Sequence, residues 1–140
     1  MAGNNNRDEI VLVAEDDDGA YLTLQLAFRE LGRVFRVIRA RNGEETLEIL
    51  RNFDRLYTAS RPALILLNLH MPKMTGFDVL EQMRREPGLG EIPAVVFSSS
   101  ELDSDRARCL ALGARDFISK PDSFDGVVSA VRLACTHVAH

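Results

Sequence analysis

Apolar residues follow two patterns along this chain, and the alternation between them predicts its elements. Residues 10–14, 63–67 and 92–97 are apolar at consecutive positions, with no polar residue interleaved. Runs this short are too brief for helices of ordinary length and read as strands buried on both faces. Residues 35–40 mix Phe35, Val37 and Ile38 with Arg36 and Arg39, which suits a strand at the sheet edge. Residues 116–119 make a last short strand. The segments between them carry helical spacing instead. A first helix running to about Leu31 places Tyr21, Leu24, Phe28 and Leu31 on one stripe and stops at Gly32. Asn42-Gly43 opens a second helix that bears Leu50, Phe53 and Tyr57. Residues 77–86 form a short helix stopped by Pro87 and Gly88, and another starts near Asp103 with Cys109 and Leu110 inward and closes at Gly113. Phe124, Val127, Val128, Val131, Cys135 and Val138 mark one face of a long terminal helix over residues 124–137, from which Leu133 stands off as a candidate interface residue. Residues 1–9 are polar, rich in Asn, and expected to fray.

Five strands alternating with five helices through short turns imply α/β architecture with a parallel sheet covered on both sides by right-handed crossovers. The expected fold is flavodoxin-like: a doubly wound, five-stranded parallel sheet of order 2-1-3-4-5, forming one domain over residues 10–140.

Composition narrows the class without altering this architecture. At 140 residues the chain can bury a real core but not a second effector domain. Its net charge of −4, with no compensating basic run, argues against attachment to nucleic acid or an anionic membrane. No stretch approaches a membrane span or a secretory segment, so a cytoplasmic location is expected. Cys109 and Cys135 fall at apolar helical positions and read as small buried hydrophobes. The three histidines have no ligand partner at helical spacing, which disfavours a transition-metal site.

The candidate chemistry lies where the strands end. In an open parallel sheet ligands bind outside the carboxyl ends of the strands. Those ends release Glu15 and Asp16, Asn68 and His70, Ser98 and Ser99, and Lys120. Asp17 or Asp18 reads more simply as a helix cap. Two adjacent carboxylates repel unless a cation lies between them, and oxygen ligands on loops suit a hard ion such as magnesium. A lysine and a hydroxyl opposite that ion suit a phosphoryl group.

With these residues in view, the chain resembles the receiver domain of two-component response regulators from residue 10 to about 137. The motifs that carry the likeness are Val13-Ala14-Glu15-Asp16, the segment from Leu66-Leu67-Asn68 through Met71-Pro72-Lys73-Met74-Thr75-Gly76, Val96-Phe97-Ser98-Ser99, and Lys120-Pro121. The resemblance implies that Glu15 and Asp16 hold magnesium with the backbone carbonyl of His70 as a third ligand. It further implies that Ser98 is the switch hydroxyl, Phe117 the aromatic at the rotamer-switch position and Lys120 the phosphate-contacting lysine. It also implies a cis peptide bond before Pro121.

One position departs from the family pattern. Where the family carries the phosphoryl-accepting aspartate, this chain has Asn68. An amide oxygen is neutral and a poor nucleophile, so Asn68 is expected not to form the acyl phosphate, and the lost charge is expected to weaken magnesium binding. Two readings follow from the resemblance: a receiver that works without phosphorylation through protein contacts, or a phosphorylatable receiver whose acceptor has been changed. A third reading, a flavin electron carrier on the same architecture, requires a phosphate-cradling loop where this chain has four acids at residues 15–18. The implied partners are a sensor histidine kinase and downstream signalling proteins. The extended connection over residues 52–61 is similar to that of receivers paired with phytochrome-like kinases. In the family the face formed by the last helices commonly docks partners or a second copy, so homodimerisation there is a further expectation.

Overall fold

The computed structural model describes residues 9–57, 59 and 61–138. The expected fraying of residues 1–9 lies outside these apart from Glu9, which opens the first strand. Five strands, β1 (Glu9–Ala14), β2 (Phe35–Ala40), β3 (Leu64–Leu67), β4 (Ala94–Ser98) and β5 (Asp116–Ser119), form one sheet of order β2-β1-β3-β4-β5. Every pairing is parallel. The helices are α1 (Asp18–Arg29), α2 (Gly43–Arg51), α3 (Phe53–Leu56), α4 (Gly76–Arg85), α5 (Asp103–Ala111) and α6 (Phe124–Ala134), with a 3₁₀ turn at Cys135–His137.

The unbroken apolar runs follow from helices packing on both faces. Leu12, Ala14, Ile65, Leu67 and Val96 face a core shared with α2, α4 and α5, while Val11, Val13, Leu64, Leu66, Val95 and Phe97 face α1 and α6. Successive strand side chains point to opposite faces, so each must be apolar when both faces are covered. The edge strand β2 is covered less completely and accommodates its two arginines.

Four features differ from the sequence expectation, one being that Leu110, expected inward with Cys109, is exposed on α5 while Cys109 alone is buried. The second helix breaks at Asn52, so there are six helices rather than five. Asn52 turns its side-chain amide back to the Glu48 carbonyl at 2.9 Å, competing for an acceptor the helix ladder uses, and its backbone leaves the helical region at φ −115°, ψ 18°. On α6, Phe124, the first residue of the helix, is exposed although the stripe expectation placed it inward, and Leu133 is half exposed. Among the described residues no peptide bond is cis, so the Lys120–Pro121 bond is trans. Trans is the intrinsically favoured isomer by about 0.5–1 kcal/mol, and in it the Lys120 N–H is satisfied by the Ser98 carbonyl at 2.8 Å.

Both cysteines are buried free thiols. Burial pushes each thiol up to about 11, because the thiolate loses hydration it cannot recover inside the core. Neither should react with a disulfide reagent at pH 8 in the folded protein, whereas both should react after denaturation, as counted by thiol titration. The native state also holds protons on these thiols that the unfolded chain releases from about pH 9 upward, so stability should fall between pH 9 and about 11. Among the described residues no helix is long and apolar enough to cross a membrane.

Candidate functional site

The ends of β2, β1 and β3 are held level by their own backbone. The Asn68 N–H donates to the Ala14 carbonyl at 3.1 Å and the Glu15 N–H donates to the Ala40 carbonyl at 3.0 Å. Glu15, the first residue beyond β1, is almost wholly buried, while Asp16 next to it is exposed. Asp17 caps α1, its Oδ2 accepting from the Ala20 N–H at 2.7 Å. Lys120 leaves β5 and reaches back across the sheet ends, placing Nζ 2.8 Å from Glu15 Oε1.

Asn68 lies at the centre. Its Nδ2 is 3.1 Å from Glu15 Oε2, 3.2 Å from Asp16 Oδ1 and 3.3 Å from the His70 carbonyl oxygen. The chemistry of these neighbours decides the orientation of the amide: turned over, Oδ1 would face three acceptors with no proton between them. Glu15 Oε2 also accepts from the Asp17 N–H at 3.2 Å. The buried carboxylate is therefore met by an ammonium, an amide and a backbone donor, as a buried charge requires.

The loop after β3 is shaped to turn the His70 carbonyl inward while its side chain is exposed. Leu69 and Met71 anchor it in the core. A tight turn follows, with the Met74 N–H on the Pro72 carbonyl at 2.8 Å and Lys73 at φ +70°, a conformation that costs a residue with a side chain about 1 kcal/mol or more. The Gly76 N–H then returns to the Leu69 carbonyl at 2.8 Å, and Thr75 and Asp78 form a reciprocal cap on α4.

Of the residues singled out from sequence, the structure gathers Glu15, Asp16, Asn68, Lys120 and the His70 carbonyl into one hydrogen-bonded cluster. Ser98 ends the neighbouring β4, fully buried, with Oγ accepting from the Ser100 N–H at 3.1 Å, whereas Ser99 is exposed. Phe117 is packed within the core on the α5 side. The residue that sequence reasoning passed over is Arg39. Its Nε donates to the Glu15 carbonyl at 3.0 Å, Nη1 donates to Asp18 Oδ1 at 2.7 Å, and the guanidinium lies 4.9 Å from the Tyr21 ring centroid. The hydrogen bond from Arg39 and the nearby charges hold the Asp18 carboxyl below its usual range. The available signal was an arginine near the end of an edge strand, in register with Val13 just before the acidic loop.

The carboxylates and the carbonyl are oxygen donors of the kind a hard divalent cation takes. As arranged, all three lie within 3.3 Å of the Asn68 Nδ2. Among the described residues no group of three or more His, Cys, Asp or Glu is positioned to hold a metal.

Comparison with known proteins agrees with this architecture. Residues 11–132 match the family profile described as the response regulator receiver domain. The probable methanogenesis regulatory protein FilR2 of Methanothrix harundinacea is 33% identical over 122 residues, spanning 87% of this chain and 78% of that protein. The chain spans less than half the length of several other curated relatives, including 36% of the chemotaxis protein CheV1 of Helicobacter pylori. Among solved structures, the phosphorylated cyanobacterial phytochrome response regulator RcpA superposes with a TM-score of 0.81 at 29% identity, over 90% of each chain. The Mn(2+)-bound form of the response regulator Rcp1 superposes with a TM-score of 0.78 at 25% identity, over 89% of each chain. Strand order, structural likeness and a profile match over most of its length agree: the chain belongs to the response regulator receiver domain family of two-component signal transduction.

Proposed function

We propose that this receiver domain transmits its signal through protein contacts without forming an acyl phosphate. The observation that carries the reading is the neutral amide of Asn68 at the carboxyl end of β3, between the acidic pair and Lys120. Phosphoryl transfer to a receiver needs an ionised carboxylate oxygen as nucleophile, and an amide oxygen lacks the charge and basicity for that attack. Lys120 and Ser98 keep the residue types that would steady a phosphoryl group, although here Lys120 is bound to Glu15 and Ser98 is buried. The partner is a protein of a two-component pathway, in the first place a sensor histidine kinase in the cytoplasm. The likeness to RcpA favours a kinase of the phytochrome class. The exposed Phe124 and Leu133 on α6 offer apolar contact for such a partner or for a second copy.

Incubation with magnesium and a small phosphodonor, followed by intact mass measurement, tests this. The native chain should stay unmodified, and the Asn68→Asp variant should gain one labile phosphoryl group. A phosphoryl adduct on the native chain would overturn the proposal.

A further inference from the structure

Two side-chain carboxylate oxygens, from the adjacent Glu15 and Asp16, and the backbone carbonyl oxygen of His70 converge on one nitrogen of Asn68. Convergent oxygens of this kind surround a cation in a hard-ion site. Here the convergence point holds an NH2 group, which carries two protons with partial positive charge for three acceptors. The remaining oxygen of Glu15 is already bound by the Lys120 ammonium at 2.8 Å, and Glu15 Oε2 receives the Asp17 N–H as well. Two carboxylates thus face one full positive charge and one amide donor, all supplied by the chain.

We infer that the Asn68 amide acts as a built-in substitute for the divalent cation, occupying the oxygens of the acidic pocket that an ion would take. This deepens the proposed function, on which it rests, by specifying how the pocket is regulated. A divalent ion can enter only when the amide turns Nδ2 away, and each entry forfeits hydrogen bonds to ionised groups. Asn68 therefore opposes metal by occupying the ligands as well as by lacking a charge.

The two effects separate in a three-way comparison. Magnesium and manganese affinities are measured by calorimetry, without a phosphodonor, for the native chain, Asn68→Ala and Asn68→Asp. The alanine variant has the same charge as the native chain but no donor. Occupation by the amide predicts that Asn68→Ala binds the ion at least about tenfold more tightly than the native chain, the equivalent of one charge-assisted hydrogen bond, and that Asn68→Asp binds more tightly still. Native affinity equal to or above that of Asn68→Ala overturns the inference. If Asn68→Ala does not fold, the Asn68 side-chain resonances of the native protein decide. Slow exchange of the NH2 protons, with shifts unmoved by magnesium concentrations that saturate Asn68→Asp, supports occupation by the amide, and fast exchange or a titrating shift overturns it. Because acyl-phosphate formation is read by mass in a separate assay, an adduct on the native chain would refute the proposed function while leaving this comparison intact.

Discussion

Gly76→Ala is expected to lower stability by about 3 kcal/mol, at the upper end of what overpacking usually costs, with a fall in Tm of about 10 °C. A Cβ at this position would lie 2.6 Å from the Asn68 carbonyl oxygen and 2.9 Å from the Leu69 Cα. Both are backbone atoms, so no side chain can swing aside to relieve the contact. The backbone that must give way is the one that positions Asn68 and turns His70, and the Gly76 N–H is itself bonded to the Leu69 carbonyl. Gly90→Ala is the matched control. Its added carbon would meet nothing closer than 3.5 Å, an ordinary contact, and the change should stay within about 0.5 kcal/mol. Urea denaturation of the two variants checks the pair; equal midpoints would show that the approach of α4 to the β3 loop is not close in solution.

Phe53→Ala is expected to cost about 3–5 kcal/mol, the range for deleting a fully buried aromatic. Phe53 is 1% exposed although it sits in α3, a single helical turn. Its ring lies 4.7 Å from that of Tyr57, which in turn carries the Arg36 guanidinium 5.1 Å away, linking the connection after α2 to the edge strand. The loss should appear as a reduced denaturant midpoint with no change in metal affinity, because Phe53 belongs to the connection after α2 and the hydrogen bonds of the Asn68 cluster run to Glu15, Asp16, His70 and Lys120. A variant within 1 kcal/mol of the native chain would mean that the cavity collapses, with α3 moving to fill it.

Legibility in the sequence tracked the range of the interaction concerned. The runs at residues 10–14 and 63–67 were readable as doubly buried strands because burial on both faces demands apolar residues at every position, a rule that needs no partner to be known. The sheet order followed from counting alternating elements. The broken second helix was less readable: Leu50, Phe53 and Tyr57 keep helical spacing through the break, and only the Asn52 amide folded onto Glu48 reveals it. Arg39 was missed for a related reason. A charged residue on an edge strand is unremarkable until the parallel register brings it beside the acidic loop of β1.

The sequence by itself determined the class of fold, the loops that meet at one edge of the sheet, and the presence of an amide where an ionised nucleophile would be needed, because these depend on local periodicity and on side-chain identity. Only the tertiary structure decided that this amide reaches both carboxylates and the His70 carbonyl at once, that Lys120 spans the sheet ends to Glu15, and that the bond before Pro121 is trans. Those contacts join residues up to 105 positions apart. Their geometry is set by how β1, β3 and β5 align across the sheet, which no single segment encodes.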